Sequence, residues 1–383
     1  MGIKAGYKQT EIGIIPDDWE IKKLGELSKI ERGKFSARPR NDPKYYGGET
    51  PFLQTGDIVR SKGKISTFSQ SLNKEGVKVS RVFPAGTLFF TIAANIGDVG
   101  ITNFATACPD SLVAISPKPH VSKEWLLYEL SSRKKDFENI SSLSAQLNIN
   151  LEKLRPYLLP VPKESEQKDI AKTLLDVDEL LEGLDELIAK KNSIKQIFMK
   201  QVLDQKIRLP GFSGYWIETT IAELEQKKSI MLSRGQVISK KNIDKSPGDF
   251  PIYSSSIHNN GLFGHYGNFM FNEELITWSV DGGGNFFYRP KHKFSITNVC
   301  GFMRVDTSQI DYRFLAAELQ LLHTKKNYDY QSKAHPSVIR KEYILKLPDL
   351  KEQRAISNIL YDIDSEIETL ISRRNKTSNL KQA

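Results

Sequence analysis

The sequence predicts an α+β protein built as a tandem internal repeat: two globular units, each followed by a long helix, the two helices pairing as an antiparallel coiled coil. Three observations carry this. A long heptad pattern begins near residue 163, a second in the same register follows 186 residues later, and both run from acidic to basic.

Residues 163–205 contain no proline and one glycine, Gly183. Ile170, Leu174, Val177, Leu181, Leu184 and Ile188 are spaced by alternating steps of four and three. Phe198 and Val202 resume the series after Lys191 and Lys195. This is the a/d seam of a helix that pairs with another helix. At ~1.5 Å per residue, such a helix is roughly 60 Å long. The second seam is Ile356, Leu360, Ile363, Ile367 and Leu370. The approaches match as well: Tyr157 with Tyr343, Pro162 with Pro348, Glu166-Gln167 with Glu352-Gln353. An internal repeat of this kind decides the whole architecture. Asp176, Asp178, Glu179, Glu182, Asp185 and Glu186 precede Lys190, Lys191, Lys195 and Lys200. Asp362, Asp364, Glu366 and Glu368 likewise precede Arg373, Arg374, Lys376 and Lys381. Only an antiparallel pair sets the acidic half of each helix against the basic half of the other.

The repeat extends through the globular units. Pro16 and Trp19 lead to Glu26-Leu27, as Pro210 and Trp216 lead to Glu223-Leu224. In the first unit, residues 50–60 predict a strand and turn, 88–92 and 111–115 predict strands, and 123–135 predict one helix. In the second, 250–253, 275–280 and 297–305 predict strands, and 312–322 predict a helix. Cys108 and Cys300 align in equivalent strands and are expected to be buried apolar residues.

The chain has 383 residues, enough for two to four domains. Its net charge of +9 favours an acidic partner, nucleic acid first. Two cysteines exclude a disulfide framework and fit a cytoplasmic setting. No apolar run reaches membrane-spanning length, and the first residues lack a signal-peptide core. The chemistry of catalysis is sparse. Walker-type and dinucleotide-binding glycine motifs are missing. Gly282-Gly283-Gly284 is not followed by a helical sequence and reads as a flexible turn. Asp17 lies too near Glu20-Ile21-Lys22 for a nuclease metal site, and the six histidines lack ligand spacing. Catalytic and metal residues are therefore assigned to none.

The basic segments carry more signal. Residues 28–64 hold nine Lys/Arg against four Asp/Glu, and residues 227–245 hold six against one. Recurrence in both halves points to two nucleic-acid contacts. Phosphate-binding candidates are Arg32, Lys34, Arg38, Arg40, Lys62 and Lys64, then Arg234, Lys240 and Lys241. Side chains suited to base edges are Gln54, Thr55, Asn95 and Gln146, then Ser254, Ser255, Ser256, His258, Asn259 and Asn260. Lys333 and His335, in the stretch 332–339 before the second helix, are further candidates; Gln146 stands in the matching stretch, 144–149, before the first.

The combination of T-E-I-G-x-I-P-x-x-W near the N-terminus, L-P-x-P-x-x-x-E-Q-x-x-I at 159–170 and L-P-x-L-K-E-Q-R-A-I at 347–356 resembles the DNA specificity subunit of type I restriction–modification systems. Segments 55–58 (TGDI) and 251–256 (PIYSSS) also look like parts of its target recognition domains. The resemblance covers essentially the whole chain. It implies target recognition domains at 1–160 and 208–347, separated by conserved helical regions at 161–207 and 348–383. It implies a non-catalytic subunit of a DNA adenine methyltransferase and endonuclease complex. Each domain would read half of a bipartite site on double-stranded DNA. The helices would set the gap and dock two methyltransferase subunits, with restriction and translocase subunits joining later. S-adenosylmethionine, ATP and magnesium would reside on those partners. Two other readings stay open: a specificity module of a different restriction–modification system, and a coiled-coil scaffold with solvated basic loops.

Overall fold

A computed structural model describes residues 4–142, 148–256, 258–281, 285–326 and 334–382, with residues 142 and 258 described by their backbone alone. The triple glycine at 282–284 lies outside the described residues. The chain divides into two compact units, residues 1–180 and 181–383.

In the first unit a hairpin, β1 (Tyr7–Thr10) and β2 (Gly13–Pro16), precedes β3 (Glu20–Lys23), α1 (Leu24–Leu27) and β4 (Ser28–Arg32). Then come β5 (Tyr46–Phe52), α2 (Thr55–Ser61), β6 (Lys64–Ile65), β7 (Gln70–Leu72), α3 (Lys74–Lys78) and β8 (Val82–Phe83). The central strands are β9 (Leu88–Thr91), β10 (Val99–Thr102), β11 (Thr106–Ala107) and β12 (Leu112–Pro117). Helices α4 (Lys123–Ser132), α5 (Lys134–Ser142) and α6 (Leu151–Leu154) lead through β13 (Leu158–Val161) into the long α7 (Glu164–Leu203).

The main sheet runs β4-β12-β9-β10-β6, antiparallel except for the parallel β10–β6 pair. Its central strands are apolar at consecutive positions because both faces are covered. Leu88, Phe90, Val113 and Ile115 pack with Trp125, Leu126 and Leu130 of α4. The alternate residues Phe89, Leu112 and Ala114 pack with Leu53, Ile58 and Phe83. Two predicted spans differ. Residues 55–61 form a helix, because buried Asp57 accepts the Gln54 N–H at 2.8 Å and caps the turn. The helix predicted over 123–135 breaks at Arg133, which separates α4 from α5.

The second unit repeats the plan. It contains β14 (Ile217–Thr220), α8 (Ile221–Gln226), β15 (Ile230–Arg234), α9 (Lys240–Lys245), β16 (Phe250–Tyr253), β17 (Leu262–Tyr266), β18 (Phe271–Ser279), β19 (Phe286–Ile296) and β20 (Cys300–Val305). α10 (Tyr312–Thr324), α11 (Pro336–Glu342) and β21 (Ile344–Leu347) lead into α12 (Leu350–Gln382). The sheet order is β15-β20-β18-β19-β16-β17. Its first three pairings are antiparallel and the fourth, β19–β16, is parallel, as in the first sheet. The β13–β3 ribbon of the first unit recurs as β21–β14. Ile276, Trp278 and Met303 pack against Phe314, Leu315 and Leu319 of α10, Ile356 and Leu360 of α12, and Met199, Val202 and Leu203 of α7.

The cysteines are both buried, but they are not equivalent. Cys300 begins β20, whereas Cys108 precedes Pro109 in the loop before β12. Burial pushes the Cys300 thiol up to about 12 and raises Cys108 as well, so neither is a reactive thiolate.

Along α7 and α12 every seam residue is buried or half-buried: Ile170, Leu174, Val177, Leu181, Leu184, Ile188, Ile356, Leu360, Ile363, Ile367 and Leu370. Asp185 pairs with Arg374 at 3.0 Å, Lys191 with Glu366, and Lys195 with Asp364 at 2.6 Å. As α7 advances from 185 to 195, its partners step back from 374 to 364. The two helices of the second unit are therefore antiparallel, with acid against base as their charge order requires.

Candidate nucleic-acid interface

Past β4 the chain stays extended, and its side chains alternate. Gly33, Phe35 and Ala37 are buried; Arg32, Lys34, Ser36 and Arg38 are exposed. A two-residue period thus puts three cations on the outer face of one stretch. Arg32 Nε donates to the Asp110 carbonyl at 2.6 Å, and Arg40 pairs with the Asp110 carboxylate at 2.8 Å. Burial raises the Asp110 pKa; Arg40 and Arg32 outweigh it and leave it below the usual value. Arg40 also lines a cleft of about 500 Å³ together with Phe35, Tyr46, Phe52, Gln54 and Gln70. Gln54 Nε2 donates to Gln70 Oε1 at 3.1 Å at its rim. Asp57 fixes both carriers of this amide pair, accepting from the Gln54 N–H and from Ser69 Oγ at 3.1 Å. Asp57, Gln70 and Asp110 were not singled out from sequence: Gln70 and Asp110 meet partners distant along the chain, and Asp57 acts as a local cap that no periodicity marks.

The 28–64 segment does not form one patch. Arg32 ends one edge strand of the sheet, and Lys64 lies on β6, the opposite edge. Four strand spacings separate them, roughly 19 Å. Lys62 caps α2 in a left-handed conformation, and Thr55 is the half-buried first residue of that helix. Asn95 is exposed in the turn joining β9 to β10, where its carbonyl accepts from Thr91 Oγ1. Gln146 and Lys333 lie outside the described residues.

The second unit places Arg234 where the first has Arg32. Each ends its edge strand, and Arg234 Nη2 donates to the Asn298 carbonyl at 2.6 Å. Lys240 and Lys241 are exposed at the start of α9. Ser254, Ser255, Ser256, Asn259 and Asn260 share the loop between β16 and β17, with the backbone of His258. Ser254 Oγ meets Thr297 Oγ1 at 2.9 Å, and Ser279 Oγ donates to the Ser255 carbonyl at 2.9 Å. His335 caps α11, its ring turned towards Ser337 at 2.9 Å.

The repeated helix entries have a structural explanation that spacing did not reveal. Gln167 Oε1 accepts from the N–H of Ser122, the cap of α4, while its Nε2 donates to the Pro162 carbonyl, both at 2.9 Å. Gln353 makes the same two bonds, to Asp311 of the α10 cap and to Pro348, again at 2.9 Å. Trp19 donates to Glu166 at 3.1 Å, and Trp216 to Glu352 at 3.3 Å. Each motif therefore locks a long helix onto the unit before it.

The chain matches the type I restriction modification DNA specificity domain (Methylase_S) twice, over residues 16–196 and 217–377. The chain belongs to this family. It is a type I restriction–modification specificity subunit with two DNA specificity domains, and the generic scaffold reading is set aside. A Methanocaldococcus jannaschii chain assigned as the MjaX type I restriction enzyme specificity subunit is 26% identical over 97% of this chain and 92% of its own length. The MjaIX type I restriction enzyme specificity subunit of the same organism is 29% identical over 55% of this chain and 47% of its own. The fold is shared with the type I restriction–modification S subunit of M. genitalium, with a TM-score of 0.63 at 16% identity, covering 95% of this chain and 94% of that one. Among the described residues no group of three His, Cys, Asp or Glu side chains could hold a metal ion, and no helix is long and apolar enough to cross a membrane.

Proposed function

We propose that each domain of this specificity subunit reads one half of a bipartite sequence on double-stranded DNA, with recognition domains at 1–160 and 208–347. The observation that carries this is the repeated arginine at the end of the edge strand, Arg32 and Arg234, beside reading elements that differ between units. The cleft with Gln54 and Gln70 serves one half-site; the 254–261 loop serves the other. Unlike elements read unlike bases, so the target is not a palindrome. Arg32, Lys34, Arg38, Arg40, Lys62, Lys64, Arg234, Lys240 and Lys241 contact phosphates, and Thr55, Asn95, Gln146, Ser256, His258, Lys333 and His335 are further candidates for DNA contact. The helical regions 161–207 and 348–383 set the gap. Leu180, Leu187 and Ile194 recur every seventh residue on α7 and stay exposed, which suits docking of methyltransferase subunits. Those partners, with the restriction and translocase subunits, supply catalysis and its cofactors in the cytoplasm.

The test is selection of random-sequence DNA by the full-length chain at about 0.15 M salt, with and without the methyltransferase subunit. One split motif of two unlike halves is expected. Flat enrichment in both arms overturns the reading.

A further inference from the structure

Arg289 is the fourth residue of β19 and is only 5% exposed. Its Nε donates to Thr277 Oγ1 at 2.9 Å, and its Nη2 donates to the Asn260 carbonyl at 2.6 Å. The guanidinium carbon sits 3.6 Å from the Tyr253 ring centroid and 4.8 Å from that of Phe287. None of these contacts is a carboxylate. Burying such a cation is costly. Burial lowers its pKa to about 10, so it stays charged at neutral pH.

What the cation holds is an unusual turn. Asn259, Asn260 and Gly261 are all left-handed, with φ of 49°, 50° and 78°. Asparagine and glycine are the residues that tolerate this. At Gly261 a Cβ would come within 3.1 Å of the Ser254 carbonyl and 3.4 Å of Arg289 Nη2. The Ser254 N–H donates to the Gly261 carbonyl at 2.8 Å and closes the loop. Asn259 and Asn260 are thereby presented to solvent while the backbone beneath them is fixed.

We propose that Arg289 is a positioning residue for the second half-site: it shapes the 254–261 loop so that its serines and asparagines meet base edges in one geometry. This rests on the reading that the loop contacts bases. A planar fork serves here where an ammonium could not, because it bonds Thr277 and the loop in two directions while stacking on Tyr253. Arg289 touches no DNA and neutralises no phosphate.

The test is sequence selection by full-length chains carrying R289K, G261A, or the loop variant S255A/N259A/N260A, each checked for an unchanged thermal unfolding midpoint. R289K and G261A are each expected to lose about tenfold enrichment at the second half-site and none at the first. The slope of log affinity against log salt is expected to stay unchanged in R289K. A slope reduced by about one would mean a direct phosphate contact and overturn the positioning role. If R289K and G261A keep the second half-site while the loop variant loses it, the loop reads bases and the Arg289 proposal alone fails. If the loop variant keeps the second half-site, the reading of the loop fails and the proposal falls with it.

Discussion

Glu352 shows how much one side chain can carry inside a repeated motif. It accepts two bonds from Arg208, at 2.8 and 2.6 Å, and one from Trp216, with its side chain only 2% exposed. Its counterpart Glu166 accepts from Trp19 and is half-buried. Arg208 is partly exposed and also bonds the Gly214 carbonyl, so E352A removes charged hydrogen bonds without stranding a buried cation and is expected to cost about 2 kcal/mol in denaturant unfolding. E166A is expected to cost about 1 kcal/mol, the value of one hydrogen bond. Glu318 is a second buried carboxyl. Burial raises its pKa from 4.5 to about 7, against a weak bond from the Lys346 N–H at 3.3 Å. Between those two pH values the folded state holds a proton that the unfolded chain has released, so stability falls as pH rises and then levels off. E318Q removes that slope. Relative to the parent it is expected to gain stability from pH 4.5 to 7, by on the order of 3 kcal/mol at most, in unfolding curves across that range. Glu318 lies on a helix whose sequence pattern signalled only an apolar face. Nothing in one dimension marks which acid that face would enclose.

At the scale of elements, the long helices were the most legible part of the chain, because an a/d seam is a local pattern repeated many times. Their direction was legible too, from charge order alone. Lys195–Asp364 and Arg374–Asp185 are partly exposed pairs, each worth ~0.2–1 kcal/mol. K195E is expected to destabilise the helix pair by less than about 1 kcal/mol, and K195E/D364K to recover it in a double-mutant cycle. No recovery would mean that the pair contributes nothing to direction. Inserting four residues into α7 adds ~6 Å and is expected to change the spacer of the selected DNA motif while both half-sites stay as they were. Short elements were less legible. The helix over Thr55–Ser61 depends on the Asp57 cap, and the break at Arg133 depends on how α4 and α5 pack. Both follow from contacts rather than from periodicity.

For the whole molecule, modular reading makes the sharpest prediction. Replacing residues 28–160 with the corresponding unit of another family member is expected to change one half of the selected motif and leave the other intact. A change in both halves would contradict independent domains. The duplicated plan, the antiparallel helix pair and the basic character of both halves were determined by the sequence itself. Each is a periodicity or a composition, and these survive projection onto one dimension. The tertiary structure decided the rest. It split the 28–64 basic run between opposite sheet edges, gathered Arg32, Arg40 and Gln54 around residues 109–111, and set Arg289 beneath the 254–261 loop. These depend on pairs of residues 29 to 78 positions apart. Which distant side chain arrives at a given backbone atom is settled by strand order and packing, on which a sequence-local pattern carries no information.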